Sequence, residues 1–276
     1  MNYDKGFTNY YNKAMEKTRL DLDSNRLEKI RTLDILERYL PKPPAVILDI
    51  GGAAGVYSFI LADLKYDVHL IDIVPLHITQ AKEKNNSVKH KLKSIELGDA
   101  RYLRFPDHFA DVILLFGPLY HLIDKKDREK ALKEAYRMLT PGGIIFSAGI
   151  SRFASLIDGF ETKNIFDENF IEIVKQDLID GQHRNPTNIT HYFTTSYFHH
   201  PNELYQEHVD AGFQSVEILS IEGPLGLLGN IGEYLNDSEK LKLLLTFMRE
   251  IEKESSLVGA SAHIMAIARK NNQSKK

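Results

Sequence analysis

Short apolar runs alternate with stretches of helical periodicity over residues 45–147. Five runs rich in Val, Ile, Leu and Phe predict buried strands at residues 46–50, 68–71, 95–97, 112–116 and 144–147. Helical patterns between them predict helices at residues 56–64, 76–85 and 125–139, the last stopped by the letters TPGG. Such alternation is typical of a parallel, doubly wound sheet, which binds its ligands outside the carboxyl ends of the strands.

The flanking segments are more helical. Residues 9–40 predict one or two helices closed by PKPP, and residues 152–180 predict amphipathic helix followed by a polar loop at 181–188. Residues 190–201, THYFTTSYFHHP, are dense in aromatic side chains and histidine. A helix from Pro201, a strand at 215–222, a helical segment within 225–256 and a last strand at 263–269 complete the pattern.

The seven predicted strands give an α/β fold: a doubly wound, seven-stranded, mostly parallel sheet with helices on both faces. We expect one structural domain with an N-terminal helical cap at residues 1–44 and a ligand-binding core at 45–150. Residues 151–200 would form a lid or substrate insertion, and residues 201–270 the end of the sheet. A second insertion at 223–261 could close over the strand ends or form a homodimer contact, and residues 271–276 a disordered tail.

Composition narrows the classes of function. The 276 residues contain no cysteine, which excludes disulfides, thiolate metal sites and a cysteine nucleophile. A net charge of −3 gives no reason to expect a nucleic-acid partner. No apolar run approaches the roughly 18 residues of a membrane span, and the start MNYDKGFTNYYNK lacks the apolar region of a secretory signal. We therefore expect a cytoplasmic enzyme.

The first predicted strand runs into a turn rich in glycine and alanine, VILDIGGAAGVYS. A dinucleotide-binding turn has glycine at its first, third and sixth positions, but here these are Gly51, Ala53 and Val56. A second pattern has an acidic residue two positions before the first glycine and glycines at alternate positions. Asp49, Gly51 and Gly55 fit that pattern, and Ala53 is its one departure.

In this second pattern the chain resembles the class I S-adenosylmethionine-dependent methyltransferases, in particular methyltransferase domains of type 11 or 25. The resemblance implies that Asp49 organises contacts around the ammonium group of the cofactor. It also implies that Gly51, Gly52, Ala53 and Gly55 let the backbone pass under the ribose and methionine carbons, since glycine has no Cβ.

Later blocks match the same family in order and spacing. Asp72 follows the second strand, 21 positions after Gly51, where a carboxylate can accept hydrogen bonds from both ribose hydroxyls. The resemblance further implies that Ile73 flanks the adenine, that Asp99 with Ala100 faces its amino group, and that Phe116 and Gly117 line the methionine side. Tyr11 or Arg19, in the N-terminal segment, can touch the cofactor if that segment closes over it.

The resemblance implies transfer of the sulfonium methyl group to an acceptor, leaving S-adenosylhomocysteine. A histidine base would help an oxygen or carbon acceptor, and His121 and His191 are the candidates. Tyr120, Tyr192 and His199 are expected to line the substrate pocket, and no metal is expected.

A small-molecule acceptor is the main hypothesis. Cytosine-C5 methylation needs a cysteine, and the Asn/Asp-Pro-Pro-aromatic motif of nucleic-acid amino methylation is replaced by FGPLY. A protein side chain as acceptor stays open, as does a non-catalytic sensor or regulatory subunit that binds S-adenosylmethionine. A hydrolase or dehydrogenase is disfavoured, because the chain has no G-x-S-x-G elbow and fails the dinucleotide fingerprint.

Overall fold

The computed structural model describes residues 23–187 and 189–272. The strands there are β1 Val46–Ile50, β2 Asp67–Asp72, β3 Ser94–Leu97, β4 Ala110–Leu115, β5 Leu139–Ser151, β6 Gln182–His183, β7 Ser196–His199, β8 Gln214–Ser220 and β9 His263–Arg269. The helices are α1 Asp23–Tyr39, α2 Val56–Asp63, α3 Pro75–Ser87, α4 Pro118–His121, α5 Lys125–Met138, α6 Ala154–Thr162, α7 Glu168–Asp180, α8 Pro201–Asp210, α9 Ile231–Leu235 and α10 Ser238–Ile251. Short 3-10 turns lie at Asn164–Phe166, Thr190–Tyr192 and Gly223–Leu227.

Nine strands form one sheet, in which seven follow the order β3-β2-β1-β4-β5-β9-β8 and the short strands β7 and β6 extend from the end of β5. β1 to β5 pair in parallel, and β9 runs antiparallel between β5 and β8. This confirms the predicted α/β class and its mostly parallel sheet. The strands β1, β2, β4 and β5 therefore all end at one edge, where a doubly wound sheet binds its ligands.

Two hydrophobic clusters cover the two faces of the sheet. One packs α1, α2 and α3 against alternate strand residues such as Ile47, Leu70 and Phe146. The other packs α5 and α8 against residues such as Leu48, Ile113 and Ile145. Because neighbouring residues of a strand point to opposite faces, nearly continuous apolar strands serve both clusters.

The structure corrects the predicted start of the fifth strand. The helix α5 ends at Met138, one residue before its predicted end, but TPGG does not form a loop before the strand. Leu139 already has extended geometry, and β5 runs from there to Ser151. A register shift between Ala110 and Val112 of β4 and the left-handed φ of 79° at Gly142 accommodate these residues in the ladder.

A second correction concerns the aromatic segment at residues 190–201. Its Ser196–His199 part is the strand β7, which pairs in parallel with Ile150 and Ser151 at the end of β5. The two-residue strand β6 pairs antiparallel with β7. This hairpin attaches the lid insertion to the sheet edge where the strands end, a contact between distant segments that local periodicity does not reveal.

The second insertion packs against the N-terminal helix α1 through buried charges. Arg31, fully buried on α1, donates to Asp34 and to Glu252, each at 2.6 Å. Arg38 donates to Glu252 at 2.6 Å, and Arg249 of α10 pairs with Asp34. Three arginines thus share two buried carboxylates, and these ion pairs join the two ends of the described chain.

The expected helix over residues 9–40 is described only from Asp23 onwards. Tyr11 and Arg19, and the last four positions of the expected tail, lie outside the described residues. No helix among the described residues is long and apolar enough to cross a membrane.

Removing Glu252 tests the importance of the buried charges. We expect Glu252→Ala to lower the free energy of unfolding by about 3 kcal/mol, because Arg31 would keep its buried charge and lose one of its two carboxylates. Urea unfolding measures the change. The control is Glu172→Ala, which breaks an exposed pair with Lys175 and should change stability by less than about 0.5 kcal/mol. Equal losses in the two variants would contradict the assignment.

Candidate functional site

A pocket opens at the carboxyl ends of β1, β2, β4 and β5. Both turns that follow β1 and β2 line it, together with α4 and the end of β5. The predicted cofactor residues in its wall are Asp49, Gly51, Gly52, Ala53, Asp72, Ile73, Ala100, Phe116 and Gly117. The structure thus brings together residues that follow different strands in the sequence, because the parallel strands all end at this edge.

The turn after β1 is compressed against the turn after β4. Gly51 has a φ of 77°, and a Cβ on it would lie 2.6 Å from the ring of Pro118. Ala53 also has a left-handed φ, 49°, which costs an L-residue about 1 kcal/mol. Glycine would adopt this conformation without strain, which explains why the pattern of alternate glycines has glycine at the position of Ala53. Gly55 does not line the pocket, and instead it begins α2 and packs against Leu70.

Gly52 is needed for a different reason, since its φ is not left-handed. A Cβ on Gly52 would lie 2.7 Å from the carboxylate of Asp49. That carboxylate is 1% exposed and accepts a hydrogen bond of 2.6 Å from the hydroxyl of Ser58. Burial raises the pKa of Asp49 to about 6, with a smaller contribution in the same direction from the charge of Asp72 and an opposing one from the Ser58 hydrogen bond. A cationic ligand above the turn would favour the ionised carboxylate.

Asp72 joins the turns that follow β1 and β2. Its Oδ2 accepts the backbone N–H of Ala53 at 2.8 Å, and its Oδ1 accepts that of Val74 at 2.8 Å. Oδ1 also lies 3.1 Å from Nδ1 of His77, a pocket residue that the sequence did not single out. A carboxylate held by backbone donors keeps one orientation at the end of β2, where a ribose would need it.

The neighbours of Asp99 line the pocket, but the side chain of Asp99 itself does not. Gly98 and Ala100 line the pocket, whereas the carboxylate of Asp99 bonds with the guanidinium of Arg101, with Oδ2 2.6 Å from Nη2. Arg101 in turn bonds with Asp127 at the start of α5. The expectation that Asp99 faces an adenine amino group stays a prediction.

The wall beside α4 is aromatic. Tyr120 and His121 line the pocket as expected, with ring centroids 4.6 Å apart. Phe193, which the sequence reasoning missed, reaches the pocket from the lid insertion and lies 6.3 Å from the His121 ring. A residue on a loop between distant elements gives no periodic signal, so only its place within the aromatic segment could have indicated it.

Three other expected residues of that segment do not reach the pocket. His191 is exposed, and Tyr192 is buried in a separate small cluster with Phe170, 4.9 Å between ring centroids. His199 is fully buried, where burial lowers its pKa, and its Nε2 lies 3.4 Å from Glu207. The reason is the strand β7, whose pairing with β5 turns His199 into the core instead of towards the ligand.

The far end of the pocket is polar. His263, the first residue of β9, and Glu28 of α1 line it. Behind them the buried Glu222 holds Nδ1 of His263 at 2.6 Å from its Oε1. Ligand atoms of these three side chains all lie within 4.8 Å of one another, so they are the described residues best placed to hold a cation.

The charges of the pocket wall have one sign. Glu28, Asp49 and Asp72 are acidic, and no lysine or arginine belongs to the wall within residues 23–187 and 189–272. Side chains without a positive charge and a turn without bulky Cβ substituents fit a sulfonium ligand with an amino-acid end.

Comparison with known proteins agrees with this geometry. Residues 48–147 match the family model described as a methyltransferase domain. Nodulation protein S of Rhizobium tropici is 28% identical over 163 residues, which are 57% of this chain and 67% of the relative. The ubiquinone/menaquinone biosynthesis C-methyltransferase UbiE of Vibrio campbellii is 26% identical over 192 residues, 66% of this chain and 69% of that protein.

Solved structures share the fold. A methyltransferase from Methanosarcina mazei, described as dependent on S-adenosylmethionine, superposes with a TM-score of 0.58 at 20% identity. The match covers 87% of this chain and 98% of that one. The matched domain contains the strands and turns that form the cofactor side of the pocket, and S-adenosylmethionine is its cofactor. The chain thus contains a methyltransferase domain at residues 48–147, within a fold that it shares with S-adenosylmethionine-dependent methyltransferases.

Proposed function

We propose that this enzyme transfers the methyl group of S-adenosylmethionine to a small-molecule acceptor. The observation that carries the proposal is the position of Phe193, which reaches from the lid insertion into the pocket wall beside Tyr120 and His121. A lid residue in the wall supports a small acceptor, because closing the lid over donor and acceptor would exclude bulk water, as methyl transfer requires. The name of UbiE, a biosynthetic C-methyltransferase, supports the same acceptor class.

We propose the following placement of the methyl donor. Asp72 and Ile73 would take the ribose and adenine, and the turn from Gly51 to Ala53 would pass under the methionine carbons. Asp49 beneath that turn would attract the ammonium group. The sulfonium methyl would then point past Gly117 towards His121 and Tyr120, which we propose orient the acceptor.

We further propose that the segment at 151–200 acts as the lid. Its helices α6 and α7 pack on each other, and its hairpin β6–β7 is fixed to the end of β5. His183 on this hairpin bonds with both Asp177 of α7, at 2.9 Å, and the carbonyl of Tyr192, at 2.7 Å. These contacts hold the loop that carries Phe193. A homodimer and a cytoplasmic location stay predictions.

A transfer assay tests the proposed function. The protein is incubated with S-adenosylmethionine labelled in its methyl group and with a low-molecular-mass metabolite extract, and the products are separated. We expect label in small molecules, because the pocket is lined for a small acceptor. Tight binding of the donor without transfer would instead indicate a sensor, and label only in protein would indicate a side-chain methyltransferase.

Replacing Asp72 tests the cofactor site. We expect Asp72→Ala to weaken binding of S-adenosylhomocysteine at least about 10-fold, since a carboxylate's hydrogen bonds are worth about 1.5–3 kcal/mol. Calorimetry measures the affinity, and the melting temperature checks that the turns remain folded. Asp67→Ala, at the opposite end of β2 and paired only at the surface with Lys93, is the matched control. Unchanged affinity in Asp72→Ala would refute the assignment.

Asp49 predicts a pH dependence of binding. Its pKa of about 6 lies above its usual value, and a cationic ligand binds the ionised form more tightly. The affinity for S-adenosylmethionine should therefore fall as the pH falls through about 6, and Asp49→Asn should be weaker above that pH but insensitive to it. Titrations from about pH 8 to about pH 5 measure this. A wild-type affinity that stays constant over this range would contradict the role of Asp49.

A further inference from the structure

A histidine and two glutamates meet at the end of the pocket opposite Asp72. His263 and Glu28 line the wall, and Glu222 lies behind the histidine. His263 stands opposite Ile150 in the β5–β9 ladder, so its ring lies just beyond the carboxyl end of β5. Since β9 lies four strands from β2 in the sheet order, this end lies away from the residues proposed for the ribose and adenine, and we take it as the acceptor side.

Glu222 is built to hold the histidine in one orientation. Its Oε2 accepts the backbone N–H of His263 and lies 2.9 Å from the hydroxyl of Ser261. Its Oε1 accepts from Nδ1 of the His263 ring at 2.6 Å. Burial alone would raise the pKa of Glu222, but the charge and hydrogen bonds of His263 outweigh it and keep the pKa below its usual value. With the Nδ1 proton directed to a carboxylate, proton exchange with a bound molecule falls to Nε2.

Glu28 adds a second carboxylate to the same space. One of its oxygens lies within 4.8 Å of ligand atoms of both Glu222 and His263. The described part of the wall contributes no lysine or arginine that could pair with an anionic acceptor. The wall also includes the aromatic side chains of Tyr120 and Phe193, and aromatic rings attract cations. Charge and ring chemistry thus favour a positively charged acceptor.

We propose that the acceptor is an amine that arrives as its ammonium ion, that Glu28 attracts it, and that His263, oriented by Glu222, removes its proton. This inference rests on the proposed methyl transfer and names the substrate class of the same site. The roles differ: His263 is the base and touches the acceptor, Glu222 is a positioning residue, and His121 orients the acceptor without taking its proton.

The reaction balances with the methyl donor as co-substrate. The ammonium gives one proton to Nε2 of His263, and the nitrogen lone pair then forms a bond to the methyl carbon. The bond between that carbon and sulfur breaks, and its electron pair stays on sulfur as a neutral thioether. The product is a methylated ammonium ion, and the proton on His263 passes to water. A carboxylate partner stabilises the imidazolium formed in this step.

A metal ion is the competing use of the same three side chains. A divalent cation would need Nδ1 or Nε2 and both carboxylates as ligands at about 2.0–2.2 Å. The direct contact of 2.6 Å between Nδ1 and Oε1 of Glu222 is a hydrogen bond and leaves no place for an ion between these two atoms. This contact excludes an ion bound to Nδ1, and sensitivity of the activity to a chelator distinguishes a base from an ion bound to Nε2.

The first experiment identifies the charge of the acceptor. A protein-free metabolite extract is divided at neutral pH into fractions retained by a cation exchanger, retained by an anion exchanger, or retained by neither. Each fraction is incubated with the protein and methyl-labelled donor. We expect transfer in the cation-exchange fraction, with the label on nitrogen. Transfer confined to the other fractions, or no transfer by protein that binds the donor, would overturn the inference. Failure to bind the donor would instead refute the proposed function itself.

The second experiment assigns the residues with the active fraction. Glu28→Gln should raise KM for the acceptor about 10-fold, and His263→Gln should lower kcat by about 10²- to 10⁴-fold, with donor affinity unchanged in both. The loss of rate at low pH should disappear in His263→Gln and persist in His121→Ala. Ligand atoms of Glu222 and Glu28 lie within 4.8 Å of a ring nitrogen of His263, so Glu28→Gln should shift the pH at which the acidic limb falls.

His90→Gln is the matched control, because His90 also pairs with a carboxylate, Asp63 at 3.0 Å, but lies outside the pocket wall. It should behave as the wild type. A pH profile of His263→Gln that keeps the acidic limb would overturn the assignment of the base. Activity that is lost with a chelator and restored by a divalent metal would overturn it in favour of a metal site.

Discussion

The carboxylate of Asp72 is the interaction on which the cofactor side depends. By accepting backbone N–H groups from Ala53 and Val74, it fixes two turns that leave neighbouring strands in the same direction. Parallel strands bring such turns together, but they do not determine the distance between them. A single buried carboxylate does so here, and it holds Ala53 in a conformation that glycine would adopt more easily. The strain at that alanine is small compared with the hydrogen bonds that maintain it.

The proposed acceptor side is built mainly from segments outside the alternating strands and helices of residues 45–147. The antiparallel β9 brings His263 beside the end of β5, and the loop of the hairpin β6–β7 brings Phe193 into the wall of the same pocket. The buried charges of Arg31, Asp34 and Glu252 join α1, and with it Glu28, to the second insertion. One half of the pocket thus follows from the sheet, and the other half from contacts between its two extensions.

The accuracy of the sequence predictions follows the same division. The strand β9 was predicted with its observed bounds, and α5 within one residue, because uninterrupted apolar or amphipathic patterns carry their own period. The strand β7 was missed, since its four residues SYFH show neither period clearly and it forms only by pairing with the distant end of β5. His191, Tyr192 and His199 were accordingly expected in a pocket that the structure lines with Phe193 instead.

The sequence by itself determined the fold class, the first five strands with the helices between them, and the turn that identifies the methyl donor. Those features depend on local periodicity and on residues close together in the chain, where spacing alone determines geometry. Only the tertiary structure decided which titratable side chains meet at the acceptor end. Glu28, Glu222 and His263 come from a helix, a loop and an antiparallel strand that are far apart in sequence. Their proximity results from long-range packing, and no local pattern records it.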